Sequence, residues 1–319
     1  MLPTILTLCG TLIAAVALCF VVPFELRPEQ IEALWLVTPV MGAAAGLCFV
    51  VGELTKNTSQ VDKLWSVMPV IYAGLFAVIS DFNPRVTLAA LVVTVWGVRL
   101  TWNFARRGGY AWPPWQGEED YRWAIVQKKP LFDGHPLRWS LFNFFFICGY
   151  QMSLIYLFTL PVLVAWTDAP LGLWDAVLAV VGIALVAIEF VSDQQQYDYQ
   201  TEKYRQKAAH QGGPTGIHAI GFVHTGLWRH VRHPNYAAEQ LIWWCVYAFS
   251  VVGTGQLINP TIIGVLLLMM LFVGSADLSE NISAGKYPQY AAYIKATPRF
   301  WPRPWGKRFE ARPSDAGGA

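Results

Sequence analysis

Apolar residues gather into eight runs, at roughly 3–23, 33–52, 64–81, 86–104, 139–166, 171–191, 237–253 and 258–276, separated by segments that hold nearly all of the charge. A helix needs about 20 apolar residues to cross the hydrocarbon core of a bilayer, and each run reaches or approaches that length. The third and seventh are the shortest. No period longer than a helical turn recurs, so the chain is not a repeat array. The connecting segments alternate in character. Segments 105–138 and 192–236 and the tail after 276 are long and rich in Lys and Arg, whereas 167–170 is one tight connection. With eight spans, the basic segments share one side with Lys56 and Lys63, and only Arg27 and Arg85 face the other. The positive-inside rule makes the basic side cytoplasmic, together with both termini. The pattern therefore predicts an all-α fold, a polytopic membrane helical bundle of about eight transmembrane helices whose long loops are cytoplasmic. Residues 1–58 supply the N-terminal transmembrane helices, 59–303 the main membrane domain, and 304–319 a disordered cytoplasmic tail.

Composition narrows the class. Hydrophobic residues make up 55% of the chain and charged ones only 14%, against about a quarter charged in water-soluble domains. Net charge is +2 with the basic residues scattered through loops, which argues against nucleic acid as a partner. All five cysteines fall inside apolar runs without metal-ligand spacing, so no metal site is expected. The first run is followed by Glu25 and Arg27 with no small-residue cleavage site, and reads as a retained helix.

Candidate chemistry concentrates where the seventh run begins, in Arg229-His230-Val231-Arg232-His233-Pro234-Asn235-Tyr236-Ala237-Ala238-Glu239. Proline is favoured at the first helical position. The free N–H groups behind Pro234, a positive dipole end and the flanking Arg229, His230, Arg232 and His233 together describe an anion site at the membrane surface. Asn235 and Glu239 share a helix face at membrane depth, where an unpaired carboxylate is costly and marks function. Topology signalling or lipid headgroup contact is the plainer reading of the same cations.

Three further stretches face the same side. In the fourth run, Trp96, Arg99, Asn103 and Arg106 recur at helical spacing, followed by Arg107 and the Gly108-Gly109 pair. Arg99 lies within the apolar run, so it either points into the bundle or snorkels to the headgroups. Beyond the sixth run, Asp193, Tyr197, Gln200 and Tyr204 form a polar helical face that suits adenosine and ribose, or that is simply solvated. Asp62 follows Ser59 by three residues, as in a capping box; alternatively it is an acid of raised pKa at the bilayer edge.

The motif Arg232-His233-Pro234-Asn235-Tyr236-Ala237-Ala238-Glu239, followed by Trp243-Trp244 and by Lys286-Tyr287-Pro288 with Tyr290 and Tyr293, resembles the membrane-bound steroid 5-alpha-reductase family, most of all its bacterial branch. The resemblance covers roughly residues 60–303. The Arg-His-Pro-x-Tyr core also occurs in sterol reductases and isoprenylcysteine carboxyl methyltransferases, so it marks a superfamily. What the resemblance implies is a reductase-like membrane domain open to the cytosol, with NADPH held by cytoplasmic loops. Hydride then passes to the β-carbon of a lipophilic enone, a steroid or isoprenoid entering from the bilayer, while an acid and a donor meet the carbonyl oxygen. On this reading Asp62 polarises the carbonyl, aided by Trp96 or Tyr72. Arg106, Arg229, His230 and Arg232 neutralise phosphates, Asn103, Asp193 and Asn235 orient ribose and nicotinamide, and Arg99, Arg107, Tyr197, His233, Tyr236 and Glu239 complete the cofactor set. Two departures stand out: Val61-Asp62 occupies the place of the family's Gln-Glu pair, and Trp96 that of its catalytic Tyr. The rival readings are a lipid or prenyl methyltransferase using S-adenosylmethionine, and a non-catalytic lipid-binding protein. The expected setting is a monomer among the lipids of a bacterial cytoplasmic membrane.

Overall fold

The computed structural model describes residues 24–209, 213–303, 305 and 309–311 and the isolated positions 10 and 17. It is all-helical, with 72% helix and no strand among the described residues. The first apolar run (3–23) and most of the expected tail (304–319) lie outside the described residues.

Prolines and capping side chains set the helix starts. Helix α1 spans Pro28–Thr55, with Pro28 at its first position and Gln30 accepting from the Arg27 N–H at 3.0 Å. The third apolar run (64–81) forms α3 (Val67–Ile79), and a break divides it from the short α2 (Gln60–Leu64) that precedes it. Pro69 explains the division, because its missing N–H leaves the carbonyl of Trp65 without a helical partner. Helix α4 spans Pro84–Ala105 and is capped by Asn83, which accepts from the N–H groups of Arg85 and Val86. The loop after it contains α5 (Tyr121–Gln127), capped by Asp120. One continuous helical run follows: α6 (Pro136–Phe142), a π-helical stretch (Asn143–Tyr150) and α7 (Gln151–Val164). Helix α8 runs from Leu173 to Ala209 without a break. Its 37 residues amount to roughly 55 Å at 1.5 Å per residue, more than the ~30 Å hydrocarbon core, so the polar turns after the sixth apolar run project beyond it. Helices α9 (Pro234–Thr254), α10 (Ile262–Lys286) and α11 (Tyr290–Ala296) complete the order, and Pro234 is the first helical residue as expected.

Among the described residues, five helices are long and apolar enough to cross a membrane: α1, α4, the run Pro136–Val164, α8 and α10. Helix α3 is apolar but short. Helix α9 falls outside the five because Glu239, Gln240, Trp243 and Trp244 dilute its apolar character. Of the eight spans the sequence pattern predicts, these five qualify by length and apolar character among the described residues, and the first run lies outside them.

The chain divides into two compact units, Met1–Ile183 with Trp243–Leu268, and Ala184–Ile242 with Met269–Ala319. In the first, α3 packs on α4 and α7, and α1 on α7 and the π-helical stretch. Small residues permit the closest approaches, as is usual where no hydrophobic drive operates between helices in lipid. A Cβ on Gly264 would lie 2.2 Å from the backbone carbon of Leu157. Since a backbone cannot swing aside as a side chain can, Gly264→Ala is expected to destabilise by about 1–3 kcal/mol or more. A thermal melt in detergent checks this, and an unchanged melting temperature would contradict it. The unit is stapled by Arg85, whose guanidinium donates to both oxygens of Asp175 (2.7 and 3.1 Å) and to the carbonyls of Ala169 and Pro170. One of the two cations that the topology count assigned to the far side is therefore a buried structural ion pair. In the second unit, α11 packs Tyr290 and Tyr293 against Ile220 and Phe222, and the N–H groups of Arg232 and His233 donate to the carbonyls of Pro298 and Arg299.

Candidate functional site

Candidate residues of the first unit cluster on α2, α3 and α4. Asp62 sits in the short helix α2, and Trp123 Nε1 donates to its Oδ2 at 3.3 Å. The capping-box alternative fails on geometry. Ser59 is at the N-cap position but makes no side-chain cap hydrogen bond; its hydroxyl instead accepts from the Asp120 N–H at 3.0 Å. Burial, above all, raises the Asp62 pKa above the ordinary carboxyl range. Its neighbour Lys63 is buried with its ammonium in a cradle of neutral oxygens, those of Gln60 (3.2 Å), Pro114 (3.2 Å) and Gln116 (2.6 Å). This cradle binds the 56–66 segment to the loop after α4.

The Asp62 shift has a sign that a melt can read. A carboxyl whose folded pKa is raised favours the folded state while it holds its proton, and that contribution is lost as pH rises through the folded pKa. Asp62→Asn is therefore expected to melt like the parent under acid conditions and above it as pH rises. A melting difference independent of pH would contradict the assignment.

Tyr72 on α3 and Trp96 on α4 are both completely buried. Among the described residues, the Tyr72 hydroxyl and the Trp96 indole N–H have no hydrogen-bond acceptor. Trp243, equally buried, repeats the situation: its ring meets Trp96 edge to face at 4.9 Å and Phe158 at 4.2 Å, and its own N–H lacks an acceptor. In an edge-to-face pair only one ring turns its edge to the other's face, so π-density meets at most one of the two N–H groups. Buried donors are nearly always paired, because an unmade hydrogen bond costs about 1–3 kcal/mol. Three in one core call for an acceptor supplied from elsewhere.

Further along α4, Asn103 Oδ1 accepts from Nε and a terminal nitrogen of Arg106 (2.9 and 2.7 Å), and that guanidinium lies 4.3 Å above the Trp102 ring. Arg99 and Asn103 are buried, so Arg99 points into the protein rather than snorkelling outward; Arg107 is exposed. Helical spacing thus brought Asn103 and Arg106 together as the sequence pattern required.

In the second unit, Asn235 donates to Asp193 Oδ1 at 3.1 Å, and the Asn235 oxygen is buried with no donor among the described residues. Tyr197 is half-buried one turn beyond Asp193. The preceding turn is fixed by Gln195, which accepts from the Leu227 N–H at 2.9 Å, and by Trp228 Nε1, which donates to the Ser192 carbonyl. Arg229 and His230 follow this turn and are exposed. Arg232 and His233 take another course. Arg232 donates to both oxygens of Glu280 (2.9 and 3.1 Å) and to the carbonyls of Ile294 and Thr297. His233 Nε2 lies 2.8 Å from the same carboxylate, and Arg299 reaches it at 2.9 Å. Burial, the largest influence on His233, holds its pKa below the usual imidazole value; the neutral ring then donates to Glu280. Tyr236 stacks on His233 at 5.3 Å, and Glu239 is buried on the same helix.

The expected cation cluster therefore separates into an exposed pair, Arg229 and His230, and a pair engaged by an internal carboxylate. Glu280, Arg299 and Trp243 were absent from the sequence-derived candidates. The signal for Glu280 was an acid at the polar end of the last apolar run, opposite cations that had no acid of their own.

Five apolar helices, no strand among the described residues and polar candidates at the helix ends define an α-helical integral membrane protein. The chain belongs to the family described as protein of unknown function (DUF1295), whose model matches residues 48–297. It is 34% identical over 289 residues to an uncharacterized protein of Schizosaccharomyces pombe, covering 85% of this chain and 82% of the yeast protein. No solved structure matches the chain.

Proposed function

We propose that the protein is a membrane-embedded, NADPH-dependent reductase of a conjugated carbon–carbon double bond in a lipophilic enone. The observation that carries this reading is the pair of sealed donors, Tyr72 Oη–H and Trp96 Nε1–H, that find no acceptor among the described residues. When the double bond of an enone is reduced, negative charge develops on the carbonyl oxygen, and donors already desolvated and fixed stabilise it most. A lipophilic ketone arriving from the bilayer supplies the missing acceptor without bringing a charge into an apolar core. Asp62, which keeps its proton to higher pH than an ordinary carboxyl, is the acid on the same unit.

Cofactor fit rests on Asn235. Its buried oxygen needs a donor, and a ribose hydroxyl or the carboxamide N–H of a nicotinamide is of the right kind. Asp193 holds the Asn235 amide in place, Tyr197 extends the same face, and the exposed Arg229 and His230 suit phosphate. NADPH, when bound, supplies the hydride. Arg232 and His233 support this set by fixing the segment that carries Asn235. That the DUF1295 family includes steroid 5-alpha-reductase-like proteins also favours the reading.

Thermal shift of the detergent-purified protein tests the cofactor class. NADPH at 100 times its Kd is expected to stabilise by about 2.7 kcal/mol, and Asn235→Ala to abolish the shift. Stabilisation by S-adenosylmethionine and not by NADPH would move the reading to methyl transfer.

A further inference from the structure

Away from these residues, the first unit holds a cavity of about 350 Å³ between α5 and the start of the Pro136–Val164 run, lined by Lys128, Phe132, Asp133, His135 and Trp139 among others. We propose that it binds the phosphodiester headgroup of an anionic phospholipid. Its height in the membrane follows from the helix: Trp139 belongs to the first turn of a run that crosses the bilayer, so the cavity lies at headgroup level. Its charge is complementary. Lys128 lines the cavity, is exposed, as are Lys129 and Arg138 of the same segment, and has no ion-pair partner among the described residues. The 128–138 segment that supplies most of the lining carries three cations, Lys128, Lys129 and Arg138, against one acid, Asp133, a balance that suits a singly charged diester better than a doubly charged monoester.

A second, independent feature says that the ligand has a tail. Phe132 packs on Trp139 (5.5 Å) and Phe142 (4.8 Å), and below them Phe142, Phe146 and Tyr150 stack nearly parallel, at 4.9 Å and 5.4 Å. These rings are half-exposed and descend the π-helical stretch away from the cavity. A column of flat apolar faces leading from a cationic cavity matches an acyl chain leading from its headgroup.

Native mass spectrometry of the full chain, offered dioleoyl phosphatidylglycerol and dioleoyl phosphatidylcholine in equal amounts, tests this. The anionic lipid is expected to be retained at least about tenfold more strongly, and Lys128→Gln/Arg138→Gln to remove that preference. Both side chains are exposed, so the variant's melting temperature should match the parent's, and a matched melt confirms that it is folded. Equal retention of the two lipids, or a preference that survives the double substitution, would overturn the proposal. Complete displacement of the lipid by soluble glycerol phosphate would show a phosphate site with no role for the ring column, and would overturn it equally.

Discussion

Glu280→Ala is expected to destabilise the protein by about 3–5 kcal/mol, since breaking a buried ion pair strands the remaining charges. One carboxylate here receives Arg232, His233 and Arg299, and Arg232 also gathers the carbonyls of Ile294 and Thr297. Glu280 and Arg232 are almost wholly buried, so water cannot take over the lost bonds. The loss should be local first: α11 and the 297–300 segment should become open to protease while the first unit still resists. Replacing the interacting side chains together with apolar ones of similar size should recover much of the stability, because the penalty lies in the unpaired charge. A protease time course of Glu280→Ala reads the effect directly, and unchanged protection of 290–300 would refute it.

Tyr72→Phe and Trp96→Phe carry the other large expected effect. Removing one donor from a preorganised oxyanion site lowers kcat by about 10²–10³. For Tyr72→Phe stability should move the opposite way, because the substitution deletes a buried hydroxyl that is unsatisfied among the described residues, a gain of up to about 1–3 kcal/mol; Trp96→Phe also leaves a cavity that offsets the same gain. Activity lost with stability kept or gained is a combination that a purely structural role cannot produce. If both variants melt lower and turn over normally, these donors belong to the core alone.

Much of the fold was legible because lipid imposes a simple rule: apolar runs of membrane length must be helices with every backbone group satisfied internally. Pro234 marked a helix start in plain sight, and Pro28, Pro84 and Pro136 stand at three others that the apolar runs alone did not fix. Helical spacing likewise placed Asn103 and Arg106 on one helix face, where the structure pairs them. What the pattern hid depends on distant partners or on backbone detail. Arg85 and Asp175 are 90 positions apart, Arg232 and Glu280 are 48 apart, and periodicity carries no information over such distances. Asp193 with Asn235, 42 apart, was foreseen as two candidates but not as a pair. The π-helical stretch at 143–150 leaves no mark in an apolar run, since widening a turn changes neither length nor hydropathy. Trp243 was noticed only as part of the family motif and not as a site residue, for a related reason: a tryptophan in an apolar helix is ordinary until its N–H proves to have no acceptor among the described residues.

The central claim is that the apolar core of the first unit awaits an oxygen acceptor whose double bond is reduced by NADPH. Mixing the detergent-purified protein with NADPH and a lipophilic enone, and following nicotinamide absorbance together with the product, is the most direct measurement. The account predicts that NADPH is consumed one for one with formation of the saturated ketone, and that Tyr72→Phe slows this at least a hundredfold. NADPH left unconsumed across steroid and isoprenoid enones, with a protein that nonetheless transfers a methyl group from S-adenosylmethionine to lipid, would contradict it.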